Sequence, residues 1–355
     1  FDSAPETGSV GVAAELGKQI FSPVWVPLVV GAPAIGRYQV FGNLFAAAGD
    51  GVYRLDRHPV MSRHPVTPMD EADLGRHLSR QSDLRTGCVD FRAMTTGQSD
   101  AALKTAISSG AAIIALDAMD DATLQEAGRM IAEGDTSFAI GSQGVEYALV
   151  AHWRASGQLA QEHATPRLTP VDQLFAVSGS CAPTTAAQID FAQAKGFEIL
   201  DFDAALAVDP NALQAETDRV RQTSLQLLSE GRDVLVTSAR GPNDPSLARM
   251  SEAINRARTS NAEANEDLGR ALGNLVAEIR LATGLQRAAI GGGDTSGHAL
   301  TALQAEALSA VAPLAPGAPL CRIHSARAPK IDCLEVTLKG GQMGATGFFI
   351  HAQTG

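Results

Sequence analysis

Residues 287–307 read as an apolar strand, a glycine turn and a helix in unbroken succession. The strand is Arg287-Ala288-Ala289-Ile290, the turn is Gly291-Gly292-Gly293-Asp294-Thr295-Ser296-Gly297, and the helical pattern runs from His298 to Ala307. Such a turn leaves backbone N–H groups unpaired at a helix N-terminus, where an anion is stabilised. Its glycines allow close backbone approach, and Thr295 and Ser296 add hydroxyl donors. A second glycine segment, Lys339-Gly340-Gly341-Gln342-Met343-Gly344, follows near the C-terminus. Together they point to phosphate, and from phosphate to a nucleotide. Neither GxxxxGK[ST] nor a GxGxxG after a strand is present, so this is a different kind of nucleotide site.

The same rhythm recurs along the chain. Apolar strands are expected at 24–30, 111–116, 138–140, 174–177, 198–202, 233–237, 320–324 and 334–338, with an extended stretch over 37–48. Helices are expected from Pro68 through about Gln81, over 121–133, from 144 to about Ala155, from Thr184, over 210–230, and as a pair over 246–283. Strands alternating with helices imply α/β layers and a largely parallel sheet. Residues 156–170 are polar, carry Pro166 and Pro170, and read as a linker between domains at 1–160 and 171–355. Ligands of such sheets bind beyond the strand C-termini. Four turns fall there: Gly141-Ser142, Ser178-Gly179-Ser180, Gly292 to Thr295, and Gly340 to Gly344. A lone glycine–serine turn is most often only a turn; the repeated placement after strands is what singles these out.

A formal charge of −11 argues against general nucleic-acid binding. Four scattered cysteines without a CxxC pair argue against a disulfide framework or a zinc site, and fit reduced thiols in a cytoplasmic protein. No apolar run has the length of a membrane span, and no signal peptide is visible. The chain opens at Phe1 without methionine, and residues preceding it are expected. A homo-oligomer is left open.

The densest chemical cluster is the loop from Arg54 to Met69, in which Arg-His-Pro-Val occurs at 57–60 and again at 63–66. Its three arginines and two histidines make a local positive site in an acidic protein, and arginine forks suit carboxylates. The plainer alternative is a proline-stiffened, solvated loop. Asp2-Ser3 reads either as a hydrogen-bonding pair for a polyol or acid, or as a turn. Asp117, closing a buried strand, reads slightly better as a cap for the following helix than as a ligand or proton acceptor. Cys181 reads as a small core residue.

These segments together resemble the four-carbon acid sugar kinase family. The residues that carry the resemblance are Phe1 to Pro5, Pro33 to Gly42 (PAIGRYQVFG), His64 to Met69 (HPVTPM), Ser178 to Cys181, Gly292 to Gly297 (GGDTSG) and Lys339 to Gly344. They keep the family's order over the whole chain. The resemblance implies an ATP-dependent kinase of small sugar acids such as threonate, erythronate or 3-oxo-tetronate, with Mg²⁺ bridging the phosphates. It implies two α/β domains with the active site in the cleft between them: an N-terminal acid-binding domain and a C-terminal nucleotide-binding domain. Asp2, Ser3, Arg37 and His64 fall in acid-binding segments, with Arg57 and Arg63 assisting. Ser178, Ser180, Gly292, Gly293, Asp294, Thr295, Gly341 and Gly344 fall in nucleotide-binding segments. Asp294 could place the metal or cap the next helix. The family's Asp-Asp-x-Thr-Gly-Ala turn, expected to hold the catalytic base, is not in this sequence; Asp120-Asp121-Ala122-Thr123 imitates it but opens a helix. Position 4 is Ala where the family has Ser. The additional Arg57-His58-Pro59-Val60 suggests a subgroup for a branched or oxidised acid. A non-catalytic sugar-acid sensor is the alternative, and a nicotinamide oxidoreductase, lacking its fingerprint, is a poorer third.

Overall fold

The computed structural model describes residues 4–6, 8–63, 68–160 and 166–355. The chain divides into two compact units, Phe1–His163 and Ala164–Gly355.

In the first unit, α1 (Val10–Phe21) leads to β1 (Val26–Val29). Then come β2 (Arg37–Val40), β3 (Asn43–Ala48), β4 (Gly51–Arg54), α2 (Leu74–Leu78) and β5 (Thr86–Val89). The unit continues with α3 (Phe91–Thr95), α4 (Ser99–Ser108), β6 (Ile113–Leu116), α5 (Asp121–Glu133), β7 (Ile140–Gly141) and α6 (Gly144–Ala155). A wholly parallel sheet has the order β5-β6-β1-β7. β1 and β6 are buried at every residue, as continuous apolar runs are in a sheet covered on both faces.

The extended stretch expected over 37–48 is a hairpin. β2, β3 and β4 form a separate antiparallel sheet. Phe41 (φ 49°) and Gly42 (φ 68°) make the two-residue turn, both in the left-handed region that matches strand twist. Asp117 holds that turn from 75 residues away. Wholly buried, its carboxylate accepts N–H bonds from Phe41 (2.6 Å), Gly42 (2.9 Å) and Phe91 (3.0 Å). Burial pushes its pKa up even against those donors. Asp117 is therefore no helix cap; Asp120 caps α5, in a capping box with Thr123. The helix expected from Pro68 shortens to α2, because Met69 N–H donates to Met61 and Ala72 accepts from Leu44 (both 2.9 Å). Asp73 then caps α2, accepting from the Arg76 N–H (3.0 Å).

The second unit holds β8 (Phe175–Ser178), α7 (Pro183–Ala194), β9 (Glu198–Asp201), α8 (Pro210–Ser229), β10 (Val234–Thr237), α9 (Pro245–Ala257) and α10 (Asn261–Thr283). It ends with β11 (Arg287–Gly291), α11 (Gly293–Ala302), β12 (Ala307–Ala315), β13 (Ala318–His324), β14 (Glu335–Lys339) and α12 (Phe348–Thr354). The sheet order is β12-β13-β14-β11-β8-β10-β9. From β14 to β9 it is parallel, while β12 and β13 add an antiparallel meander. One face packs on α8, α10 and α11, through Val220, Leu272 and Ala299. The other packs on α7 and α12, through Ile189 and Phe348.

The two units share a topology that no sequence repeat betrays. Counting the first four parallel strands of each unit in chain order, both read 2-3-1-4: β5-β6-β1-β7 and β9-β10-β8-β11, with β14 added beyond β11 in the second. The chain passes from strand 1 to strands 2 and 3 on one side, then crosses to strand 4 on the other. That reversal opens a crevice at the C-terminal ends of strands 1 and 4.

Candidate functional site

In the second unit the parallel register sets Asp201, Thr237, Ser178, Gly291 and Lys339 side by side at the C-terminal edge of the sheet. Three of the expected turns leave from this row. Gly179 N–H donates to the Gly291 carbonyl and Gly292 N–H to the Lys339 carbonyl (both 2.9 Å). The helices that follow β8 and β11, α7 and α11, lie on opposite faces, so their N-termini flank the crevice.

The local chemistry explains each turn. Gly292 adopts φ 113°, which L side chains rarely do. A Cβ on Gly179 would stand 2.2 Å from Thr295 Oγ1, so the first and second turns meet through a glycine contact. The helix begins earlier than expected, at Gly293 rather than His298, and ends at Ala302. Ser296 is then inside it, and its hydroxyl donates to the Gly292 carbonyl (2.6 Å), so it is not a free donor. The N–H groups of Gly293, Asp294 and Thr295 precede the first i→i−4 acceptor and have no carbonyl within the helix. Gly293 and Asp294 are exposed and Thr295 is buried. Gly292, not Asp294, occupies the cap position.

Ser178 and Ser180 shape the first turn: Ser178 Oγ accepts from Ser180 N–H and Ser180 Oγ from Ala182 N–H (both 3.3 Å). The third turn is held by two α7 side chains. Thr185 donates to the Gly341 carbonyl (2.9 Å), and the Gln188 amide nitrogen lies 3.0 Å from the carbonyls of Met343, Gly344 and Ala345. Lys339 is buried beside them, donating to Thr185 Oγ1 (2.9 Å) and the Gly340 carbonyl (3.3 Å). Sequence reasoning missed Thr185 and Gln188, and named Lys339 only as the start of its glycine segment, without a role. A lysine closing an apolar strand was the available signal, since lysine is seldom fully buried.

In the first unit, Arg37 is half-buried beside the carbonyls of Ile35 (3.4 Å) and Gly36 (3.3 Å), and burial lowers its pKa. Arg57 and Arg63 close two short 3-10 turns, Leu55–Arg57 and Met61–Arg63, and are exposed. Arg54 is not free. It forks onto Asp56 (Nε–Oδ1 2.7 Å) and holds that carboxyl below its usual range. His58 is buried, and its Nδ1 accepts from the N–H groups of Val60 and Met61 (both 3.2 Å). Burial, with a smaller contribution from Arg37, pushes its pKa down. So His58 locks the loop as a neutral ring. Asp2, Ser3 and His64 lie outside the described residues. Gly141-Ser142 ties strand 4 to strand 1, Ser142 donating to the Val30 carbonyl (2.9 Å). All four cysteines are free thiols. Among the described residues no helix is long and apolar enough to cross a membrane.

The fold is α/β, and three glycine turns meet at a topological switch point of the second unit's sheet. Residues 175–349 match a family model described as a nucleotide-binding C-terminal domain, and residues 1–149 one described as a sugar-binding N-terminal domain. Among curated proteins, a 3-oxo-isoapionate kinase from Paraburkholderia graminis is 44% identical over 98% of this chain and 74% of its own length. A 3-oxo-tetronate kinase from Cupriavidus necator is 28% identical over 99% and 76%. Among solved structures, a protein described as a putative tRNA synthase from Salmonella typhimurium LT2 superposes with a TM-score of 0.74 at 23% identity, over 99% of this chain and 78% of that one; that likeness shows the fold alone. The chain belongs to the four-carbon acid sugar kinase family. The expected activity class, a kinase of small sugar acids with a nucleotide-binding domain, stands with it.

Proposed function

We propose that this enzyme transfers the γ-phosphate of ATP to a hydroxyl of 3-oxo-isoapionate or a chemically similar branched 3-oxo sugar acid. The observation that carries the nucleotide half is the convergence of three glycine turns at the switch point of β8 and β11. The 44% identity to a 3-oxo-isoapionate kinase supports the acid. The phosphates sit on the free N–H groups of Gly293, Asp294 and Thr295, with the turns at Ser178–Ser180 and Gly341–Gly344 closing around the nucleotide. Phosphoryl transfer asks the protein chiefly for positioning and charge stabilisation.

Among the described residues no group of three or more His, Cys, Asp or Glu side chains could hold a metal ion. Mg²⁺ takes most of its ligands from phosphate and water and needs few from protein. The exposed carboxylate of Asp294, in the first turn of α11, would hold its waters. The ion would supply neutralisation of phosphate charge. Dependence on ATP fits work in the cytoplasm.

The acid carboxylate is held by Arg37 and His64, with Arg57 and Arg63 assisting and Asp2 and Ser3 contributed by a separate segment. Arg57 and Arg63 are exposed, with no side-chain hydrogen bond or ion pair among the described residues. Losing one charge-assisted hydrogen bond costs about 1.5–3 kcal/mol. Arg63→Ala should therefore raise the KM for the acid by on the order of tenfold, and leave the KM for ATP within about twofold. Steady-state kinetics with each substrate varied in turn decides it. An equal rise in both constants would remove Arg63 from the acid site.

A further inference from the structure

The side chain of Lys339 is among the largest fully buried ones in the protein, at 1% exposure. It is a cation with only neutral partners: Thr185 Oγ1 on α7, the Gly340 carbonyl, and the Phe348 ring on α12, 5.9 Å away. β11 faces it with Gly291, its register partner. Among the described residues, none of the charged or titratable groups on the surrounding elements pairs with it. Arg287 and Glu335 pair with each other at the opposite ends of β11 and β14, and Arg322 of β13 joins them there. Asp190 on α7, Asp294 on α11 and His351 on α12 are exposed, and His298 on α11 is half-buried. None of them is bonded to the Lys339 ammonium. A buried charge without a counter-charge is expensive and is seldom kept for packing alone. This one stands at the C-terminal end of its strand, against the turn that Ser180, Thr185 and Gly341 build.

We propose that Lys339 is the cation that offsets the phosphate charge of the nucleotide bound in this crevice. The inference rests on the nucleotide-site reading above and adds to it a specific residue and a specific proton. In the free protein, burial lowers the Lys339 pKa to about 8. A neighbouring phosphate favours the ammonium and raises that pKa again. The sign follows. At pH 8.5 most free protein carries neutral Lys339, nucleotide binding restores its charge, and binding takes up a proton. For a pKa moved from about 8 to 10 or above, the uptake is roughly 0.7 proton at pH 8.5 and about 0.1 at pH 7. Phosphate groups, which titrate near pH 6, are already ionised at pH 8.5, and ordinary histidines are already neutral.

The test is calorimetric titration of the protein with MgADP at pH 8.5, in two buffers of different ionisation enthalpy. The expected result is uptake of roughly 0.7 proton, with none in Lys339→Met, which should also bind MgADP on the order of ten- to a hundredfold more weakly. Circular dichroism confirms that the variant is folded. The wild-type measurement decides the matter even if the variant is not: binding without proton uptake at pH 8.5 overturns the role of Lys339. So does a folded Lys339→Met with unchanged affinity and uptake. In both cases the nucleotide site survives. Absence of any MgADP binding would instead bring down the nucleotide-site reading, and this inference with it.

Discussion

Gly292→Ala should lower kcat/KM for ATP by about a hundredfold while leaving the KM for the acid nearly unchanged. Two independent effects act at this position. Its φ of 113° is one that L side chains rarely adopt, and holding another residue there costs about 1–3 kcal/mol. The added Cβ would also stand 2.8 Å from Thr295 Oγ1 and 3.1 Å from Thr295 Cβ. Thr295 is buried in the first turn of α11 and cannot swing away freely. The cheapest relaxation is to open the turn, which breaks the N–H bond from Gly292 to Lys339 and re-aims the free N–H groups of Gly293 to Thr295. A combined loss near 3 kcal/mol is roughly a hundredfold in rate or affinity. Steady-state kinetics would show it. A variant within threefold of wild type for ATP would mean that the phosphates do not rest on this turn.

Gly128→Ala should destabilise the first unit by about 2 kcal/mol, against the sign that helix propensity gives. Gly128 lies inside α5, where alanine is favoured over glycine by about 1 kcal/mol. But a Cβ there would stand 1.9 Å from the carbonyl oxygen of Ala148 and 3.0 Å from His152 Cβ, both on α6. Ala148 is wholly buried, and its carbonyl is backbone that cannot rotate aside. α5 and α6 must therefore separate, and overpacking of this kind costs about 1–3 kcal/mol, more for a backbone clash. The clash wins. Thermal unfolding should show a fall of about 5 °C for the transition of that unit. A raised melting temperature would mean that the two helices are not packed through this glycine.

Part of the second unit was legible because three of its strands, β8, β11 and β14, are apolar runs that lead into glycine turns. The turns at 178–181, 291–297 and 339–344 could each be found that way. Their convergence could not, since strand order is a long-range property; it is the crossover from β10 past β8 to β11 that brings them together. Elements escaped notice where their burial pattern inverts the usual rule. α1 buries Gly11, Ala14 and Gly17 and exposes Val12, Leu16 and Ile20, so periodicity points to the wrong face. β12 is an edge strand whose first four residues are all exposed, which leaves no alternation to read. Asp117 was misjudged because its partners, Phe41 and Gly42, lie more than 70 residues away, while a helix start lies four residues on. In the Arg/His loop the sequence shows the density of charge but not how the individual side chains are engaged. One arginine is spent on Asp56, and His58 serves the loop's own backbone. Among its described charged residues, Arg57 and Arg63 remain exposed.

The most direct test of the central claim is ADP release from ATP and Mg²⁺ in the presence of 3-oxo-isoapionate, 3-oxo-tetronates, threonate and erythronate, with Gly292→Ala alongside. ADP release that depends on the acid, is fastest with the branched 3-oxo acid, and collapses in the variant is the predicted result. ATP that binds but is not turned over with any of these acids, or ADP release indifferent to their presence, would contradict it.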